Sequence, residues 1–274
     1  MNFKHSALSV ALLAGLAIPA VSSAQTAAPE AAPAASPLTG NLGFFSDYRF
    51  RGISQTFKKP AIQGGFDYAH SSGAYVGTWA SNVSGNQYPG GNSMEWDVYG
   101  GFKGEIAKDV GFDVGVLHYN YAGANYKNFV GGADQKMNNT ELYGAISAFG
   151  LTAKLSYALS DYFGLNDKNY GALGTGGSKG TTYFDLTYSA EIAPKLTLTA
   201  HAGRTNYKHF GKLNYTDYKL GLGYDLNGFV LGAAVVGNSG LSADGKAFNT
   251  GVTPSGETKQ LYKTGLVLSV SKTF

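Results

Sequence analysis

No cysteine occurs among the 274 residues, so no disulfide holds the fold together and neither a thiolate metal site nor a cysteine nucleophile exists. Charge is sparse, at 14% of residues, and almost balanced at a formal +3. Such a surface does not suit a polyanion, and nucleic acid is not an expected partner. Histidine is scarce as well: past the N-terminal leader there are only His70, His118, His201 and His209, and no HExxH, P-loop or G-x-S-x-G motif occurs. No loop has the ligand spacing of an EF-hand. No cofactor and no metal are therefore expected, and the chain is not expected to be an enzyme. Past the leader the sequence also lacks any stretch near the roughly 18 uninterrupted apolar residues that a membrane helix requires. A chain of this kind enters a membrane as strands or not at all.

What is present is glycine (39 residues), tyrosine (19) and phenylalanine (16), a profile rich in β-formers and turn residues. The start, MNFKHSALSVALLAGLAIPAVSSAQ, has a basic residue at Lys4, an apolar run from Ala7 to Ile18 and small residues at Ser22 and Ala24. That is the pattern of a secretory signal peptide over 1–24. Residues 25–39 are Ala/Pro-rich without apolar periodicity and are expected to form an extended periplasmic tether. The remainder, 40–274, is expected to be the barrel domain.

From Gly40 onward, apolar and polar residues alternate with period two. In 94–103, Met94, Trp96, Val98, Gly100 and Phe102 oppose Glu95, Asp97 and Lys103; in 217–226, Tyr218, Leu220, Leu222, Tyr224 and Leu226 oppose Asp217, Lys219 and Asp225. Weaker copies lie at 41–51, 61–69, 140–149, 151–162, 181–191, 195–205 and 261–274, and three mixed-phase segments at 74–83, 110–121 and 229–237. These are about twelve strands, each close to the 9 to 11 residues of a tilted transmembrane strand. Their connections alternate short and long, as in outer-membrane barrels with short periplasmic turns and long extracellular loops. The expected fold is all-β: an antiparallel up-and-down transmembrane barrel of outer-membrane type, with both mature termini periplasmic. Phe274 ends the chain with Leu266, Leu268 and Val270 in its phase, which looks like the signal read by the barrel assembly machinery. Outer-membrane lipid and lipopolysaccharide are the expected surroundings.

SDYRFRGISQT at 46–56, continuing through KPAIQGGFDYAHSSGAYVGTWASNVS at 59–84, resembles the TorF-type porins, the Gcw_chp family of uncharacterised outer-membrane proteins. Leader, length and terminal Phe fit the same family, so the resemblance spans about Gly40 to Phe274. It implies an outer-membrane barrel that forms a pore, and implies no particular solute.

Strand phase assigns Asp47, Arg49, Arg51, Asp67, Glu95, Asp97, Lys103, Asp113, Glu141, Lys154, Asp185, Glu191, Asp217, Lys219 and Asp225 to the lumen, ten acidic and five basic groups. All but Glu191 and Asp225 are the pore-lining or constriction candidates. The surplus of carboxylates favours cations. Within SDYRFRGISQT, taken as the first membrane strand, Asp47, Arg49 and Arg51 point inward, either pairing with other lumen charges or forming a constriction, while Gly52 opens an extracellular loop. Phe44, Tyr48, Phe50, Phe66, Tyr68, Trp96, Phe102, Phe184, Tyr188, Tyr218, Tyr224 and Tyr262 are expected to face lipid. Inward-phase Gly43, Gly65, Gly221, Gly223 and Gly265 favour an open lumen or bent strands. The loop aromatics Tyr88, Tyr126, Phe129 and Tyr170 are open to a solute or partner, and His201 has no partner visible in the sequence. The functional expectation is a porin-like channel for passive diffusion of small hydrophilic solutes. The alternatives are a non-conducting structural or adhesive barrel and an outer-membrane hydrolase.

Overall fold

The structure is a computed structural model and describes residues 36–88, 92–128 and 132–274. The expected signal peptide, most of the tether and Phe129 lie outside the described residues. Twelve strands close into one antiparallel barrel. In chain order they are β1 (Leu38–Phe45), β4 (Ala61–Ala69), β5 (Ala74–Asn82), β6 (Met94–Ala107), β7 (Val110–Asn120), β8 (Asn139–Ala148), β9 (Leu151–Ala158), β10 (Thr182–Ala193), β11 (Leu196–Asn206), β12 (Tyr215–Leu226), β13 (Phe229–Ser239) and β16 (Gly265–Thr273). Two short hairpins lie outside this ladder: β2 (Arg49–Phe50) with β3 (Ile53–Ser54), and β14 (Thr250–Val252) with β15 (Thr258–Gln260). Each wall strand pairs with its neighbours in sequence, and β1 closes the ring on β16, with Asn41 opposite Thr273 and Phe45 opposite Ser269. The Gly40 N–H donates to the Phe274 carbonyl at 2.7 Å and the Phe274 N–H returns to the Gly40 carbonyl at 2.9 Å. Closure matters because a free sheet edge cannot be left in hydrocarbon.

The outer wall is apolar. Phe66, Leu220 and Leu268 are 56%, 57% and 52% exposed, while Glu95 and Asp97 on the alternate face of β6 are 0% and 1% exposed. Phe44, Tyr68, Trp96, Phe102, Phe184, Tyr188, Tyr218 and Tyr224 also stand on the outside, as expected. The turns at one end are short. At the β12–β13 turn, Asn227 and Gly228 both have positive φ (56° and 85°), the conformation of a two-residue hairpin turn that Asn-Gly adopts at least cost. At the other end the connections are long and carry α1 (Asp167–Tyr170) and α2 (Ala243–Phe248). A closed barrel with this outer surface is of outer-membrane type.

One expected strand is wrong. The first wall strand runs over Leu38–Phe45, not 41–51, so it also takes in the end of the expected tether. Ser46 makes the last ties to the wall, its N–H to the Leu268 carbonyl at 2.8 Å and its Oγ accepting the Leu268 N–H at 2.9 Å. The chain then turns into the barrel. Tyr48 is 2% exposed and packs edge-on to Trp79 at 5.6 Å, and Phe50 packs against Tyr119 and Phe163 at 5.6 and 5.8 Å. Neither meets lipid, and Gly52 is the turn of a buried hairpin instead of the start of an outer loop. The physical reason is that period-two alternation separates two faces without saying which medium each one meets; lipid and an aromatic core are equally apolar. Tyr262 is also misassigned: it lies outside the strands and packs on the cluster of Ile53, Phe57, Tyr215 and Leu261.

The inward glycines take part in filling the lumen. A Cβ on Gly77 would strike the Tyr99 ring, one on Gly101 the Tyr75 ring and one on Gly115 the Tyr143 ring, each from the directly opposed residue of the next strand. Gly43 makes room for Phe45 and Gly265 for Arg49 in the same way. These glycines are seats for rings and guanidinium groups, not openings. Gly115→Val is accordingly expected to cost about 1–3 kcal/mol through overpacking, seen as a lower midpoint for urea unfolding in lipid vesicles; an unchanged midpoint would show that Tyr143 does not need the space.

Candidate functional site: the lumen and its inner hairpin

The inner hairpin is organised by Asp47. Its carboxylate accepts the Ser54 hydroxyl at 2.6 Å, the Thr56 hydroxyl at 3.0 Å and Arg49 Nε at 2.5 Å. The Gln55 N–H donates to the Tyr48 carbonyl at 2.8 Å, which ties the two ends of the loop together. Arg49 Nη1 reaches the carbonyls of Gly52, Leu261 and Lys263, anchoring the hairpin to the long connection before β16. Arg51 and Gly52 form the tip with φ of 46° and 78°.

Arg51 carries the hairpin's main bond to the opposite wall. Its Nη2 lies 3.0 and 2.8 Å from the two oxygens of Glu141 and its Nη1 2.6 Å from the Tyr162 hydroxyl. The guanidinium carbon sits 3.9 Å from the centre of the Tyr183 ring and 4.8 Å from that of Phe50. Asn139 Nδ2 donates to Glu141 at 3.1 Å, fixing the carboxylate from its own strand. Tyr48 donates to Glu95 at 3.1 Å on β6.

Of the thirteen candidates, Asp47, Arg49 and Arg51 belong to the hairpin, and the other ten stand on the inner wall. Asp67 accepts the Tyr99 hydroxyl and Asp113 the Tyr75 hydroxyl, each at 2.6 Å. Tyr75 and Tyr143 are joined hydroxyl to hydroxyl. The Lys154 ammonium lies 4.0 Å over the Tyr143 ring and the Lys103 ammonium 5.4 Å over Tyr75. Asp185 and Asp217 bracket His201 at 3.3 and 2.8 Å, and Lys219 stands opposite His201 in the ladder. Glu191 and Asp225 accept the N–H groups of Lys195 and Gly228 and so hold the short turns.

The inward tyrosines Tyr75, Tyr99, Tyr143 and Tyr183 are the partners that strand phase did not single out. Their signal was present, because Tyr99 shares parity with Glu95 and Asp97, Tyr143 with Glu141, and Tyr183 with Asp185. Tyr88 and Tyr126 are buried, Tyr88 stacked on Tyr121 at 4.6 Å; Tyr170 lies edge-on to Tyr126 at 5.6 Å. These loop rings cap the long-loop end from inside and do not stand free for a solute. A cleft of about 1,030 Å³ lies elsewhere, on the wall where β1 turns inward, between Phe44, Ile62, Met94 and Leu268.

The inner wall is not fully paired. Among the described residues, Glu95 Oε2, both carboxylate oxygens of Asp97 and Asp217 Oδ2 are buried with no hydrogen-bond partner. The Asn120 backbone N–H points toward Asp97 without reaching hydrogen-bond geometry. The Thr187 hydroxyl lies 3.0 Å from His201 Nδ1, and His201 Nε2 faces Asp217, which has the outline of a nucleophile, base and orienting acid. The Thr187 hydroxyl, however, donates to Asp185 at 2.8 Å. The group thereby ties three strands, β10, β11 and β12, together.

Residues 30–274 match Gcw_chp, described as a bacterial protein of unknown function. The chain belongs to that family. A search of curated proteins by sequence found no match. Among solved structures, the chain is similar to the KdgM porin at 8% identity and a TM-score of 0.49, covering 86% of this chain and 99% of that one. It is similar to the NanC porin at 9% and 0.47, covering 86% and 98%, and to LpxR from Salmonella typhimurium at 8% and 0.41, covering 86% and 99%.

Breaking a buried ion pair by removing one partner costs about 3–5 kcal/mol, far more than replacing both. In a double-mutant cycle of Arg51→Met and Glu141→Gln, the two single losses in vesicle unfolding are expected to exceed the loss in the double variant. Simple additivity would show that the two charges do not act as a pair.

Proposed function

We propose that this family member is an outer-membrane pore for passive diffusion of small hydrophilic solutes, with a preference for cations, and that the inner hairpin closes it at the long-loop end. The observation that carries this reading is the set of buried carboxylate oxygens on the inner wall with no hydrogen-bond partner, both of Asp97 and one each of Glu95 and Asp217. In a permanently dry interior each such unpartnered oxygen costs about 1–3 kcal/mol. Access by water and cations removes that cost. On the wall itself, Asp67, Glu95, Asp97, Asp113, Glu141, Asp185 and Asp217 outnumber Lys103, Lys154, Lys219 and His201, and a lumen of that sign concentrates cations.

One observation favours the non-conducting alternative. Tyr48, Trp79, Tyr88, Tyr119, Tyr121 and Tyr143 form a continuous buried cluster with Phe50 and Phe163 against it, and a barrel filled in this way is a stable wall whether or not it ever opens. The hairpin decides between the two. It is outside the wall ladder, and Phe45 faces Ala61 directly across β1 and β4, so a short Gly/Ser turn can replace 46–60 without breaking the ring.

Assembly follows from the same wall. The last strand ends on the exposed ring of Phe274, which we assign to recognition by the barrel assembly machinery, with lipopolysaccharide packing on the outer belt. Deleting Phe274 is expected to lower the amount of heat-modifiable barrel recovered from outer membranes; full recovery would remove that role.

The pore itself is tested in planar bilayers under a salt gradient. The loop-replaced barrel is expected to give steady conductance well above that of the intact chain, with a reversal potential showing cation preference. Silence in both proteins would favour the non-conducting barrel, and anion preference would overturn the charge reading.

A further inference from the structure

Arg51 occupies an expensive position. A non-glycine residue at positive φ costs on the order of 1 kcal/mol, and Asn or Gly fits the first place of such a turn more cheaply. The turn therefore does not explain the arginine; the surroundings of its side chain do. Apart from Phe50, every group around the guanidinium comes from outside the hairpin: Glu141 and Asn139 from β8, Tyr162 from the β9–β10 connection and Tyr183 from β10. A carboxylate fixed by its own strand neighbour, a hydroxyl acceptor and an aromatic face at 3.9 Å together are the chemistry that selects a planar guanidinium over an ammonium. A second feature points the same way. Asp97 is 1% exposed on the same inner wall, two strands from Glu141, with neither carboxylate oxygen partnered.

We propose that Glu141, Tyr162 and Tyr183 form a binding site for solutes bearing a guanidinium group, and that Arg51 is a tethered occupant which such a solute displaces. The seat belongs to the wall and the occupant to a segment outside the wall ladder, so the two can separate without opening the β-ladder. Asp97 is then available to a second cationic group on the same solute. A tethered group competes at an effective concentration on the order of millimolar, so free solute reaches the seat in the intact protein only at comparable concentrations. The role of this seat in permeation rests on the pore reading, while the seat itself does not.

The test uses agmatine, with 1,5-diaminopentane as the ammonium counterpart, titrated calorimetrically into the purified full-length barrel, Arg51→Ala and the loop-replaced barrel. Folding of each is checked by heat-modifiable migration, and the loop-replaced barrel empties the same seat if Arg51→Ala does not fold. Agmatine is expected to bind the emptied seat at least about tenfold more tightly than the intact protein and about tenfold more tightly than the diamine. Adding Glu141→Gln to the emptied barrel is expected to abolish the difference between the two ligands. Equal binding of agmatine and diamine, or indifference to Glu141→Gln, overturns the proposal. Because binding is read without current, agmatine binding to a barrel silent in bilayers supports the seat and sinks the pore, whereas conduction without selective agmatine binding does the reverse.

Discussion

Closure of the backbone ladder between β1 and β16 is the constraint on which the rest depends. In an apolar medium every backbone N–H and C=O on the wall needs a partner within the protein, and only a ring of strands supplies one throughout. Once twelve strands close, the alternation of side chains is no longer negotiable: one parity faces lipid and the other is shut inside. The interior then has to accommodate whatever polar groups that parity carries, and also the space that a ring of this size encloses.

The protein meets that demand with two devices. In the wall, tyrosines lie across glycines of the opposed strand and present their hydroxyls to Asp67 and Asp113, so that ring packing and carboxylate satisfaction come from the same side chain. At the long-loop end, β1 stops at Phe45 and the chain supplies a hairpin held in shape by Asp47. Its aromatics join the buried cluster and its Arg51 pairs with Glu141. The hairpin is thus attached by side-chain bonds and by main-chain bonds to the long connections, from the Ser54 N–H to the Leu261 carbonyl and from the Ser84 N–H to the Gln55 carbonyl, but not by the wall ladder. Both oxygens of Asp97 and one each of Glu95 and Asp217 stay without a hydrogen-bond partner on that wall.

Much of the wall was legible in the chain itself. Strand parity in 94–103 and 217–226 placed Glu95, Asp97, Asp217 and Lys219 on the inner face, and the order of short and long connections gave the up-and-down topology, because both depend only on local backbone geometry and turn chemistry. The segment 46–56 was not legible. Tyr48 and Phe50 alternate with Asp47, Arg49 and Arg51 as they would in a membrane strand, and nothing local distinguishes a ring meeting lipid from one meeting Trp79.

Composition and periodicity alone determined a closed antiparallel barrel with an apolar outside and a charged inside. Only the tertiary structure decided that Arg51 meets Glu141 across 90 residues of sequence, that His201 is shared by Asp185 and Asp217, and that the first aromatic stretch turns inward. The physical reason is one of range. Parity and turns are set by neighbours along the chain, whereas a charge pair across a lumen is set by the curvature of the whole ring and by which segments it leaves room for.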